Sequence, residues 1–161
     1  MELDEIIYAA ITANKTLKTL CGWQAATGST PEVPPRIKST FFEVPPNQED
    51  NTPIPYIVIY EDPGQNNQGT KDDVWECGSD IVNVGVEFAG NDLDEAKRLR
   101  RLIRKAVDTY VKSNETDIIS VKDIKWNGIQ GFGEKPCYVD TLHYQCEMIN
   151  NLNDEEDEQE E

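Results

Sequence analysis

The chain has no long hydrophobic run, only one histidine and no pair of cysteines at metal-binding spacing, and each absence removes a class of function. Its apolar stretches reach about five residues, against the ~20 that a membrane-crossing helix needs. No membrane partner is expected. The N-terminus, Met1-Glu2-Leu3-Asp4-Glu5, has none of the basic-then-apolar pattern of a secretory signal, which points to the cytoplasm. Cys21, Cys77, Cys137 and Cys146 form no C-x-x-C pair, and His143 is the one imidazole available to complete a mixed site. The expectation is four reduced thiols, buried or half-buried, with no metal and no cofactor.

Catalytic signals are equally scarce. A nucleophile–base pair has only His143 to use, and that residue lies on the polar face of an alternating strand, where a surface histidine is the simpler reading. Carboxylates are so abundant that no acid/base couple stands out. The run Gly128-Ile129-Gln130-Gly131-Phe132-Gly133 lies between two strands, without the strand-turn-helix setting and lysine of a phosphate loop. It reads as a flexible hairpin connection. No catalytic residue is assigned, and an enzyme is not expected.

What the chain has in excess is negative charge. Its 31 acidic residues against 15 basic ones give a net charge of −16. Seven of those charges fall in the last eight residues, Asp154 to Glu161; without them −9 remains. An acidic body is repelled by phosphate backbones, so sequence-specific nucleic-acid binding is not expected. Residues 150–161 read as a disordered acidic tail, for which solvation is the simpler role and a dedicated docking segment the alternative. Residues 1–149 read as one domain, since 161 residues suffice for a single core and not comfortably for two.

Within that domain the periodicities are clear. Leu3, Ile6, Ile7, Ala10 and Ile11 recur at helical spacing, Asn14 and Thr16 mark a break and fresh cap, and Leu17 and Leu20 continue a short second turn. Residues 24–35 are rich in Thr, Ser, Gly and Pro, a loop that Trp23 anchors. A first strand is expected from Arg36 to Val44 and a buried one at Tyr56–Tyr60, carrying Ile57 and Ile59. Pro63 to Asp73 is polar and reads as an exposed loop or hairpin tip. Val82, Val84, Val86 and Phe88 then alternate with polar residues over Ile81–Phe88, giving a sheet with one wet face. Gly90-Asn91-Asp92 stops that strand and caps a helix reaching Val111, whose stripe is Leu99, Leu102, Ile103, Ala106, Val107 and Tyr110. Ile118–Trp126 and Tyr138–Met148 are the last strands, the latter with Leu142, Tyr144, Cys146 and Met148 on one face. These patterns predict an α+β fold: a mostly antiparallel sheet of four to five strands with two helices on one face. The stripe should pack on the Val82–Phe88 face.

One charged cluster stands out against the acidity. Lys97, Arg98, Arg100, Arg101, Arg104 and Lys105 place six of the fifteen basic residues within nine positions of one helix. The ordinary reading is the solvated flank of a core helix, partly paired with Asp94 and Glu95. The functional reading is a basic strip, Lys97, Arg98, Arg101, Arg104 and Lys105, that meets the acidic surface of a neighbouring copy and sets register and orientation.

The order of elements resembles the tail-completion or tail-terminator proteins of long-tailed bacteriophages. The matching parts are the opening helix Leu3–Ile11, the proline-flanked strand Pro55–Tyr60, the passage from Val82–Ala89 into the helix Asp94–Val111, and the strand Tyr138–Met148. The likeness covers residues 1–149. It implies an α+β subunit that forms a hexameric ring, caps the tail tube and joins it to the head connector. Its partners would be tail-tube and head-connector proteins, and its place the host cytoplasm during assembly and the head–tail junction of the virion. The alternative is a small α+β ligand-binding or regulatory module without catalytic activity.

Overall fold

A computed structural model describes residues 2–39, 54–67, 79–114, 118–132 and 137–149. The helices are α1 (Leu3–Thr12), α2 (Lys15–Leu20) and α3 (Leu93–Ser113). The strands are β1 (Ile37–Ser39), β2 (Tyr56–Asn67), β3 (Ser79–Gly90), β4 (Ile118–Trp126), β5 (Gln130–Phe132) and β6 (Cys137–Ile149). They form one sheet in the order β1-β2-β3-β6-β4, with β5 on the end of β6; β1 runs parallel to β2 and every other pairing is antiparallel. The α+β class and the mostly antiparallel sheet are as the periodicities predict. The acidic segment 150–161 lies outside the described residues, as do Cys77 and the second half of the expected Arg36–Val44 strand.

Each helix begins where side chains satisfy its free N–H groups. The Glu2 N–H of α1 donates to the Glu5 carboxylate at 3.1 Å. Asn14 Oδ1 accepts from the Leu17 N–H at 3.0 Å, making the short α2 a separate helix. Asp92 Oδ1 accepts from the Glu95 N–H at 2.7 Å, and Glu95 Oε1 in turn accepts from the Asn91 N–H at 2.9 Å.

The register places the helix-facing side chains in rows. Ile57 and Phe88 are opposite, as are Ile59 and Val86, Val86 and Leu142, and Val84 and Tyr144. Ile7, Ile57, Ile59, Val84, Val86, Phe88, Leu99, Ile103, Val107, Leu142 and Tyr144 are all buried in one cluster, against which Val82, Leu102 and Tyr110 are half-buried. The α3 stripe thus packs on the β3 face that carries Val84, Val86 and Phe88. Burying Leu99 and Ile103 stabilises the fold by roughly 2 kcal/mol each in transfer free energy alone.

Three features depart from the sequence reading. β2 continues through Pro63-Gly64 to Asn67 as an arm of a β2–β3 hairpin, where an exposed loop or hairpin tip is expected. A register shift between Asp62 and Gln65 absorbs the proline, which cannot donate to the ladder, and Pro63 O accepts from Asn83 Nδ2 at 2.8 Å. Gln130–Phe132 of the glycine-rich run pairs with Cys137–Val139 as β5 instead of forming only a flexible connection. Finally, the sheet face away from the helices is not simply wet. Tyr56, Val58, Ala89 and Cys137 form a second buried cluster there, and the Tyr56 hydroxyl donates to Glu87 Oε2 at 3.1 Å.

A candidate cationic interface on helix α3

The basic residues of α3 divide into two groups according to what the sheet offers them. Arg100 and Arg104, one turn apart, lean toward β4 and β6. Arg100 Nη1 lies 3.2 Å from Asp140 Oδ2, and Arg104 Nε lies 2.5 Å from Asp123 Oδ2. Both guanidinium groups also sit over the Trp126 ring, at 5.3 and 4.9 Å from its centroid, a favourable stacking of a planar cation on an aromatic face. Trp126 and Asp123 point to the helix side because they stand opposite Leu142 and Tyr144 of β6.

Lys97, Arg98, Arg101 and Lys105 form the second group. All four are exposed, and none has an ion-pair partner among the described residues. Asp94 and Glu95 do not pair with them as helical spacing suggests. Glu95 is committed to the helix cap, and the one ion pair within α3 joins Lys112 to Asp108 at 2.9 Å. Arg104 therefore leaves the candidate interface in part: it is held within the chain, while the other four stay available. What remains is a four-cation strip on the outward side of a helix whose opposite side is core.

His143 is not a simple surface histidine. It is half-buried, with Nδ1 3.3 Å from Asp62 Oδ2 and Nε2 3.0 Å from Asn127 Oδ1, so it ties β2 to the turn after β4 across the far face of the sheet. Gln145 Nε2 continues this polar network to Asn83 Oδ1 at 3.0 Å.

Sequence reasoning missed a cleft between α3 and β4. Its volume is about 460 Å³, and it is lined by Val107, Val111 and Val121 together with the charged Arg104, Lys105, Asp108 and Asp123. Tyr144 reaches it from the sheet, and its buried hydroxyl has no hydrogen-bond partner. Burial, with the Asp123 carboxylate nearby, pushes that phenol above its usual range. The alternating stretch 142–148 held no signal of this, because Tyr144 fits the alternation as an ordinary core residue.

The three cysteines among the described residues, Cys21, Cys137 and Cys146, are free and buried. Burial raises all three thiols, Cys21 to about 12 and Cys146 to about 11. No group of three or more metal-ligating side chains occurs among the described residues, and none of their helices is long and apolar enough to cross a membrane.

No protein-family model matches this sequence, and no curated relative matches it. The fold does have a counterpart among solved structures. It is similar to a chain of the virion of a native gene transfer agent particle, with a TM-score of 0.52 and 10% sequence identity. The match covers 91% of this chain and 94% of that one. At that identity the likeness is one of fold, and it extends over nearly the whole of both chains.

Proposed function

We propose that this protein is a non-catalytic structural subunit of a phage-type virion, one that caps the tail tube and joins it to the head connector as a ring. The observation that carries the reading is the end-to-end fold likeness to a virion chain, in which neither protein has a large part left over. The exposed strip Lys97, Arg98, Arg101 and Lys105 supports it as well. A head-to-tail ring needs two different patches on each copy, and a cationic strip on a protein of net charge −16 has its complement on the next copy.

The test is assembly. Light scattering and negative-stain microscopy over a concentration series should reveal closed rings of the wild-type chain. Reversing Lys97, Arg98, Arg101 and Lys105 to Glu should weaken them while the circular dichroism spectrum stays unchanged, because none of the four touches the core. Rings that persist unchanged would remove the strip from the interface. A chain that stays monomeric at every concentration would count against the ring itself. The cleft holding the unpartnered Tyr144 hydroxyl favours the second reading, a small-ligand module. Thermal-shift screening against small phenol-binding and amide ligands, with Tyr144→Phe as control, separates the two.

A further inference from the structure

The four α3 cations without an ion-pair partner among the described residues lie within reach of a counter-charge that this chain itself carries. From β3 the chain turns into α3, which runs back so that its early part meets the start of β6 (Arg100 at Asp140) and its later part the middle of β6 (Val107 and Asp108 beside Tyr144). α3 and β6 therefore run in the same direction and end side by side. Toward the end of β6, Met148 stands opposite Ile118, which follows Asn114 at the end of α3 by four residues. β6 therefore ends, at Ile149, on the side of the sheet where α3 also ends.

Reach can be estimated from chain geometry. Lys105 lies ~12 Å and Lys97 ~24 Å back along the helix from Ser113 at 1.5 Å per residue. Adding the passage around a helix 10–12 Å thick gives a path of ~30 Å to Lys97. Residues 150–161 span ~40 Å when extended. Residues 150–153 carry no charge, and seven of the next eight are acidic. The chain beyond Ile149 is thus long enough for its charges to reach the cations.

We infer that the acidic run 154–161 docks along the exposed Lys97–Lys105 strip of α3 in its own chain and shields that strip until another acidic surface displaces it. A like-charge run has no reason to order by itself. A row of four cations with no ion-pair partner among the described residues, within tether length, supplies one, because tethering replaces a bimolecular encounter with a high local concentration. The contact is solvent-exposed, so it weakens as salt shortens the screening length below ~10 Å. Residues 150–161 then regulate the same surface that the ring would use, and this half of the inference rests on the assembly reading.

Docking is tested without any assembly. Full-length ¹⁴N and ¹⁵N protein, mixed and refolded together, is treated with a zero-length carbodiimide that joins lysine amines to carboxylates, and the peptides are read by mass spectrometry. Lys112–Asp108, already an ion pair at 2.9 Å, is the internal control. The expected result is cross-links from Lys97 or Lys105 to residues 154–161 of single isotopic origin, lost in 0.5 M NaCl and reduced several-fold in the Arg98→Glu/Arg101→Glu chain. Isotopically mixed cross-links, or none to 154–161 while the control forms, overturn docking within the chain. Shielding is read separately: a chain lacking 154–161 should self-associate at a several-fold lower concentration. Unchanged association with the cross-links present overturns the shielding and leaves the docking. A wild-type chain that never associates sinks the assembly reading, and the cross-links still decide where the acidic run sits.

Discussion

Arg100 and Asp140 meet across the helix–sheet interface with the aspartate side chain completely enclosed and the arginine partly open to solvent. The carboxylate does more than pair. Its Oδ1 accepts from the N–H groups of Gly128 and Thr141 at 2.9 and 2.7 Å, so one buried anion fastens α3, β6 and the turn after β4 together. A buried charge is tolerated only when its lone pairs are filled, and here three donors fill them.

Removing that anion should therefore cost far more than removing an exposed ion pair. Asp140→Ala is expected to lower unfolding free energy by about 3 kcal/mol, since it leaves two backbone donors and a guanidinium without their acceptor. Asp123→Ala, which breaks the more exposed Arg104 pair, should cost less than about 1 kcal/mol. Urea titrations followed by circular dichroism compare the two. Equal losses would mean that Asp140 is not the fastening point.

Core substitutions should follow burial and not position in the stripe. Ile103→Asp or Val86→Asp puts an unpaired charge where neither residue has any exposure, and soluble folded protein should be lost. Leu102 belongs to the same stripe but is only half-buried, so Leu102→Asp should express and melt cooperatively at reduced temperature. Ile103→Ala should cost about 2–5 kcal/mol. A well-folded Ile103→Asp chain would contradict the packing of α3 on the sheet.

The far face has its own constraint. Tyr60 stands opposite Gly85, and its ring lies where a side chain on Gly85 would be. Gly85→Val should destabilise the fold by about 1–3 kcal/mol through displacement of that ring. The double change Gly85→Val with Tyr60→Ala should recover part of the loss. Melting of the two variants checks this, and a neutral Gly85→Val would show that the ring moves freely.

The buried thiols set an alkaline limit. The Cys21 thiol rises from 9.0 to about 12 because the thiolate would lose its hydration in the core. The folded state then holds a proton that the unfolded state gives up, so this contribution is complete below pH 9 and falls as pH rises from 9 toward 12. Stability should decline across that window, and less steeply in Cys21→Ala, which lacks the titrating thiol. Native Cys21 and Cys146 should resist iodoacetamide at pH 8 and react once urea is added. Rapid labelling of native Cys21 would show that the site is open.

Local periodicity determined much of this protein. The cap at Asp92, the stripe of α3, the alternation of β3 and the limits of β4 follow from spacing and turn residues within about twenty positions, because a helix or strand must turn its apolar side one way. The charge on residues 154–161 and the clustering of cations at 97–105 are likewise properties of composition. Tertiary structure decided which cations are spent. Arg100 and Arg104 differ from Lys97 and Arg101 only in facing β4 and β6, where Asp140, Asp123 and Trp126 arrive from 19 to 40 positions away. It also carried β2 past Pro63 through a bulge, since Asn83 of the partner strand β3 holds the Pro63 carbonyl where the proline cannot donate to the ladder. His143, Tyr144 and Gly85 likewise took their surroundings from the register of neighbouring strands. Pairing partners far apart in sequence leave no periodic trace in either segment, so only the assembled sheet could assign them.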